Sequence, residues 1–246
     1  MSGKPTTTLR MFPFRTPARQ CRRRLVCLPH AGGAASIYRA WPGALSADIE
    51  VLAAELPGRG TRFGEPLKRT ATELVDELAD AVQPFLDLPL AVFGHSMGAR
   101  LAFDLARRLA PRVDHLFVSA VSAPGLAGPR AVAGAPDDEF RREVLAMGGT
   151  PAEVANDKEL MNLVLPILRA DFSVAEGWSA PPDATVSCPI TAFGGRQDRI
   201  AIEDVAAWEA RTTTAFRLVT FDAGHFYLEK ERTKILTEIG RDLSQA

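Results

Sequence analysis

The sequence predicts an α/β fold: a mostly parallel sheet flanked by helices and carrying a helical insertion. Three observations lead to it. From Arg24 onward, short apolar runs of strand type alternate with stretches of helical period, the pattern of strands joined by crossover helices. At residues 94–98 a glycine-bounded turn joins one such strand directly to a helix. Between about 123 and 185 the alternation gives way to a mainly helical stretch, after which it resumes.

Taken in order, Leu25-Val26-Cys27-Leu28 reads as the first strand, Ile37 to Leu45 as a short helix and Ile49 to Leu56 as a second strand. Pro57-Gly58-Arg59-Gly60 turns the chain into a loop. Thr70-Ala71-Thr72-Glu73 is a capping box, and Leu74, Val75, Leu78, Val82 and Phe85 behind it form one apolar stripe. Pro89 to Phe93 is a buried strand, and Ala99 to Leu109 a helix with Leu101, Leu105 and Leu109 on one face. His115 to Ala120 is a further strand.

Within the insertion, Asp137 to Met147 and Asp157 to Glu176 are the candidate helices. The second carries Leu160, Met161, Leu163, Val164, Leu165, Ile167, Leu168 and Phe172 nearly all round, which predicts two buried faces, and Pro166 should kink or divide it. The alternation resumes with Pro189 to Phe193, then Gly194-Gly195-Arg196-Gln197-Asp198. A helix from Ile202 to Arg211, a strand from Phe216 to Phe221, the loop Asp222-Ala223-Gly224-His225 and a C-terminal helix from about Phe226 complete the chain. The expected organisation is a basic lead-in over 1–23 and one domain over 24–246, with the insertion at about 123–185.

Composition limits the function classes. With 246 residues, 46% hydrophobic and 24% charged, the chain suits one α/β domain with a sizeable core. A net charge of −1 argues against a nucleic-acid surface and against a general attraction to anionic membranes. No apolar run approaches the roughly 18 residues of a membrane span, and no signal-peptide pattern is present, so the cytoplasm is the expected setting. Cys21, Cys27 and Cys188 form neither a disulfide framework nor a metal-ligand spacing; Cys27 and Cys188 read as small buried hydrophobes. Residues 1–24 carry Lys4, Arg10, Arg15, Arg19, Arg22, Arg23 and Arg24 with no acid, and read as a solvated lead-in.

The chemistry centres on Gly94-His95-Ser96-Met97-Gly98. A serine between a strand and a helix sits on a turn too sharp for bulky neighbours, and the turn presents its hydroxyl at a helix N-terminus that favours negative charge. A serine hydroxyl is a weak nucleophile without a base, and the base needs a third group to fix its tautomer. Ser96, Asp198 and His225 occur in the order nucleophile, acid, base, each at the C-terminal end of a strand. Asp222, three residues before His225, is the competing acid. His95 is expected to shape the elbow, His115 to be structural and His30 to line the rim. The backbone N–H groups of Ala31 and Met97 are the candidate oxyanion-hole donors. No residue set suggests a metal or a resident cofactor.

The sequence resembles the type II thioesterases, stand-alone editing hydrolases of polyketide and non-ribosomal peptide synthases with an α/β-hydrolase fold. The resemblance spans roughly residues 24 to 240. It rests on Leu28-Pro29-His30-Ala31-Gly32-Gly33-Ala34-Ala35-Ser36, Leu56-Pro57-Gly58-Arg59-Gly60, Arg62-Phe63-Gly64-Glu65-Pro66, the Ser96 elbow, Leu168-Arg169-Ala170-Asp171-Phe172 and Gly224-His225-Phe226. By resemblance, Ser96, Asp198 and His225 form the triad, Ala31 and Met97 the oxyanion hole, and Arg169, Asp171 and Phe172 belong to a helical lid. The implied substrate is an acyl thioester on the phosphopantetheine arm of an acyl or peptidyl carrier protein, with no separate cofactor. Where many relatives carry a Thr-Tyr pair, this chain has Ser173-Val174-Ala175-Glu176-Gly177-Trp178. Arg59 and Arg62 read as part of a solvated loop, with contact to an acidic carrier protein or the phosphate as the alternative. A chain-releasing acyl thioesterase, a carboxylesterase or lipase, and a non-catalytic carrier-binding module are the rival readings.

Overall fold

In the computed structural model, which describes residues 10–15, 20–126 and 130–245, six strands form one sheet. They are β1 (Arg23–Leu28), β2 (Ile49–Ala53), β3 (Leu90–His95), β4 (Val113–Ser119), β5 (Ile190–Gly195) and β6 (Phe216–Phe221), in the order β2-β1-β3-β4-β5-β6, all pairs parallel. Leu28 pairs with Gly94, His95 with Ser119, Ser119 with Phe193 and Gly195 with Phe221. The C-terminal ends of these strands are therefore level, and the loops that follow them share one edge. Such an edge is where open α/β sheets bind ligands.

Each strand presents alternate residues to two apolar layers. On one face Val26, Val92, Leu116, Val118 and Ala192 pack under α1 (Ala71–Val82) and α2 (Met97–Arg108). On the other, Phe93, Phe117, Phe193 and Phe221 form an aromatic row, closed by Tyr38, Trp41 and the helix α7 (Arg232–Gln245). Thr70 caps α1 by accepting the N–H of Glu73 at 3.3 Å, as the capping box predicts. Cys27 and Cys188 are buried, and burial pushes the Cys188 thiol up to about 11.

The insertion contains α3 (Asp137–Ala146), the single turn α4 (Ala152–Ala155) and α5 (Lys158–Gly177). Val132, Phe140, Val144 and Leu168 make a small core of their own. Pro166 does not divide α5. Nor does α5 have two buried faces: Met161, Leu168, Ala170, Asp171 and Val174 are buried, whereas Leu160 is 41% and Leu163 55% exposed. The helix lies over the sheet edge as an outer layer, so its second apolar face meets solvent.

Other boundaries shift for local reasons. The helix expected over 37–45 is one 3₁₀ turn, Ala35–Tyr38, since Pro42-Gly43 follow it. The helix expected over 202–211 is α6 (Ile202–Ala206) followed by a 3₁₀ segment, Ala207–Arg211. The last helix starts at Arg232 instead of Phe226, because Tyr227 and Leu228 turn inward to the core. The second strand stops at Ala53. Residues 10–15 of the basic lead-in are not all solvated: Met11 and Phe12 are buried, the Met11 carbonyl accepts the Glu55 N–H at 2.8 Å, and Phe12 meets Phe85 edge-on. Arg24, which the same reading included, is also buried and donates to Glu50 Oε2 at 2.9 Å and to the Phe85 carbonyl at 2.8 Å, while residues 1–9 and 16–19 lie outside the described residues. No helix among the described residues is long and apolar enough to cross a membrane.

His115 is structural, as expected. Its ring stacks on Phe117 at 4.3 Å and its Nε2 lies 2.9 Å from the Thr191 hydroxyl. Burial lowers its pKa to about 4, from an ordinary value near 6.5. The unfolded chain therefore binds a proton that the folded one refuses between these values. Folding stability should fall as the pH drops from about 6.5 to 4, by up to about 1.4 kcal/mol per pH unit for this group. Denaturant melts across this range should show a shallower slope for His115→Gln than for the wild type.

Candidate active site

Two glycines without room for a side chain build the β3–α2 turn. A Cβ on Gly94 would lie 2.1 Å from the Gly98 carbonyl oxygen, and one on Gly98 would lie 2.2 Å from the Leu28 carbonyl oxygen. Between them Ser96 takes φ 55° and ψ −117°, a left-handed conformation that costs a non-glycine residue about 1–3 kcal/mol. The surroundings hold it there: its N–H donates to the Ser119 carbonyl at 2.8 Å and its carbonyl accepts the Ala99 N–H at 3.0 Å.

Ser96 Oγ lies 3.0 Å from His225 Nε2, and His225 Nδ1 lies 2.8 Å from Asp198 Oδ2. The carboxylate can only accept, so Nδ1 carries the ring proton and the Nε2 lone pair faces the hydroxyl. The Asp198 side chain is 3% exposed, and its other oxygen accepts the Ile200 N–H at 3.2 Å. Asp222 is 84% exposed and lies 3.4 Å from Arg196 Nε, so it is not the partner of His225. Gly195 allows the two loops to meet: a Cβ there would lie 2.4 Å from the Ala223 carbonyl oxygen, which accepts the Gln197 N–H at 3.0 Å.

Behind His225 lies a buried polar chain of His95, Ser119 and Tyr227, of which the sequence marks only His95. His95 Nε2 donates to the His225 carbonyl at 3.1 Å, and its Nδ1 is 2.8 Å from Ser119 Oγ. Ser119 Oγ is 2.6 Å from the Tyr227 hydroxyl, which donates to the Phe193 carbonyl at 2.9 Å. Burial holds the His95 imidazole well below its ordinary pKa. A neutral ring with its proton on Nε2 donates to the His225 carbonyl and leaves Nδ1 to accept the Ser119 hydroxyl, while the single Tyr227 proton is shared between Ser119 Oγ and the Phe193 carbonyl. His95 thus fastens the base's backbone as well as filling the elbow. The only local signal for Tyr227 was its place two residues after His225.

The loop after β1 packs on the start of α2. The Gly98 position touches the carbonyls of Leu28 and Pro29, so Met97 and Ala31 stand on adjoining segments beside Ser96. The Gly33 N–H closes this loop onto the His30 carbonyl at 2.9 Å. His30 donates from Nδ1 to the Ala31 carbonyl at 2.9 Å and meets Phe226 and His95 edge-on. Burial lowers its pKa, which keeps it neutral.

The Arg-Ala-Asp-Phe segment divides its work. Arg169 donates to the Ala133 and Ala135 carbonyls and lies over the Phe140 ring, which Phe172 meets edge-on. Both residues hold the insertion together. Asp171 instead faces the body of the protein, where its carboxylate accepts two N–H groups of Arg59, at 2.6 and 2.8 Å, and the Gly32 N–H at 2.7 Å. Arg59 and Arg62 are buried, contrary to their reading as a solvated loop; Arg62 pairs with Glu65 and Glu77 and donates to the Glu55 carbonyl at 3.1 Å. Neither arginine is available to an acidic partner. Glu77 and Asp171 lie 15 and 112 residues from the arginines they pair with, and no local pattern marks such pairs. Among the described residues no group of three or more His, Cys, Asp or Glu is placed to hold a metal ion.

The fold and this hydrogen-bonded Ser-His-Asp chain define an α/β-hydrolase. Residues 23–243 match the thioesterase-domain family, and the chain belongs to that family of thioester hydrolases. It is 38% identical over 233 residues to thioesterase PikA5 of Streptomyces venezuelae, covering 92% of this chain and 83% of that one. It is 36% identical over 219 residues to the gramicidin S biosynthesis protein GrsT of Aneurinibacillus migulanus, covering 87% and 86%. Among solved structures, the type II thioesterase BorB from the borrelidin biosynthetic cluster superposes with a TM-score of 0.83 at 37% identity, covering 92% of this chain and 94% of that one.

Tyr227→Phe should lower the unfolding free energy by about 1–2 kcal/mol, since it leaves Ser119 without one partner of the buried chain. Asp222→Asn, at an exposed position, should leave it unchanged within about 0.5 kcal/mol. Parallel denaturant melts of the two variants measure both.

Proposed function

We propose that the chain is a type II editing thioesterase that hydrolyses acyl groups from the phosphopantetheine arm of acyl or peptidyl carrier proteins. The observation that carries this reading is the unbroken hydrogen-bonded chain from Ser96 Oγ through His225 to Asp198 in a member of the thioesterase family. The origin of its relatives in gramicidin S and borrelidin biosynthesis supports an assembly-line substrate.

In this reading His225 Nε2 takes the Ser96 proton as Oγ attacks the thioester carbonyl, and Asp198 holds the imidazolium that forms. The oxyanion is met by the N–H groups of Met97 and Ala31. Collapse breaks the C–S bond. Thiols titrate near pH 8.5, so the pantetheine thiolate leaves readily and takes a proton from His225 afterwards. A water deprotonated by His225 then attacks the acyl-serine and releases the free acid. The phosphopantetheine comes with the substrate, and no resident cofactor or metal enters any step. The setting is the cytoplasm, with no part for membrane or nucleic acid.

The insertion over about 123–185 acts as a lid, roofing a chamber for the acyl chain. Two contacts support its closed position at the base and the acid: the Phe226 ring fills the space beside Gly149, and Arg199 donates to the Ala146 carbonyl at 3.1 Å.

Ser96→Ala should abolish turnover. Asp198→Asn should lower kcat by about 10²–10⁴-fold, while Asp222→Asn stays within about twofold of the wild type. The discriminating measurement presents one acyl group as a carrier-protein thioester, a free pantetheine thioester and an oxygen ester. Fastest release from the carrier, lost in Ser96→Ala, is expected. Equal or faster cleavage of the oxygen ester would instead identify a general esterase.

A further inference from the structure

We propose that Asp171 and Arg59 are positioning residues for the oxyanion loop, so that a residue of the insertion sets the geometry of transition-state stabilisation. The inference rests on the reading of Ala31 and Met97 as the oxyanion donors. Asp171 Oδ2 accepts both the Gly32 N–H, at 2.7 Å, and Arg59 Nη1, at 2.6 Å, while Oδ1 accepts Arg59 Nη2 at 2.8 Å. Arg59 Nη1 also donates to the Gly33 carbonyl at 3.1 Å, and the guanidinium is fixed to its own loop through the Pro57 carbonyl, at 3.2 and 3.3 Å. The Gly32-Gly33 segment is thus gripped by one N–H and one C=O, immediately after Ala31.

The conformation needs that grip. Gly32 stands at φ +77°, with Leu168 of α5 filling the space where a Cβ would lie, only 2.5 Å away. Glycine is the residue with the most freedom to leave such a conformation. Two adjacent glycines would let the Ala31 amide wander unless the neighbouring peptides were tied. Stability alone does not account for the pair, because a fully buried ion pair is often no better for folding than apolar residues of the same volume. A carboxylate that accepts a loop amide fixes a direction, which apolar residues cannot do. An oxyanion donor displaced by a fraction of an ångström loses much of its effect, since removing one such donor costs about 10²–10³-fold in kcat.

The test compares Asp171→Asn and Arg59→Lys with the wild type, with Glu176→Gln as a control that alters another carboxylate of α5. Glu176 instead holds the Val132 and Ala133 N–H groups, within the insertion itself. Arg59→Lys keeps the buried charge paired, so one clamp variant remains measurable if Asp171→Asn fails to fold. Three readouts are taken on each protein: kcat and KM on an acyl-pantetheine thioester, affinity for a trifluoromethyl ketone analogue that Ser96 converts to a tetrahedral adduct, and affinity for the unreactive thioether analogue.

The clamp variants are expected to lose about 10–10²-fold in kcat and a similar factor in ketone affinity, with KM and thioether affinity within about threefold. A loss shared equally by the thioether, or matched by Glu176→Gln, would overturn the proposal, as would a kcat that does not change. If the wild type itself binds the ketone no more tightly than the thioether, the oxyanion-donor reading fails and the proposal fails with it. Wild-type preference for the ketone that survives in both clamp variants overturns the proposal alone.

Discussion

The close approach of backbone to backbone at the top of β3 is the constraint on which the site depends. Gly94 rests against Gly98, and Gly98 rests against the carbonyls that end β1. No side chain fits either gap. This contact forces the sharp turn at Ser96, lays the first turn of α2 on the loop that holds Ala31, and sets the hydroxyl above the level strand ends. The other members arrive because the parallel register brings Ser119, Gly195 and Phe221 to the same edge. A strained φ at Ser96 is affordable only because the core on both faces of the sheet fixes these strands so firmly.

Polar groups beneath the surface then convert that frame into directed chemistry. His225 is oriented from one side by Asp198 and from the other by His95, which grips its backbone carbonyl. Burial lowers the pKa of His95 and of His30, so the rings around the base stay neutral and do not compete with it for a positive charge. The same economy governs Arg62 and Arg59: each is enclosed, and each is matched by carboxylates and carbonyls.

Features with a local cause were legible in the sequence. The capping box at Thr70, the glycine-bounded elbow and the alternating strands each follow from neighbours within a few residues, and the strands differ from the pattern only at their ends. Ser96, His225 and Asp198 could be ordered because each follows a strand end, and the geometry separates Asp198 from Asp222 by burial. What the sequence hid was long-range. The Arg59–Asp171 pair joins positions 112 residues apart, Tyr227 reaches Ser119 across 108, and neither has a local signature. The apolar circumference of α5 misled for a related reason: periodicity reports which residues are apolar, not whether a second layer exists to cover them.

The insertion's strap at residues 132–135 is fastened in a distinctive way. Glu176 takes the N–H groups of Val132 and Ala133, and Arg169 takes the carbonyls of Ala133 and Ala135. Every one of these bonds goes to main chain. The fastening is therefore blind to side-chain identity: any residue but proline at 132 and 133 offers the same handles. Val132 is held by its buried side chain as well, but Ala133 and Gly134 can change while the anchorage of the segment stays constant. Diversity of fit and constancy of attachment are thereby assigned to different atoms of the same segment.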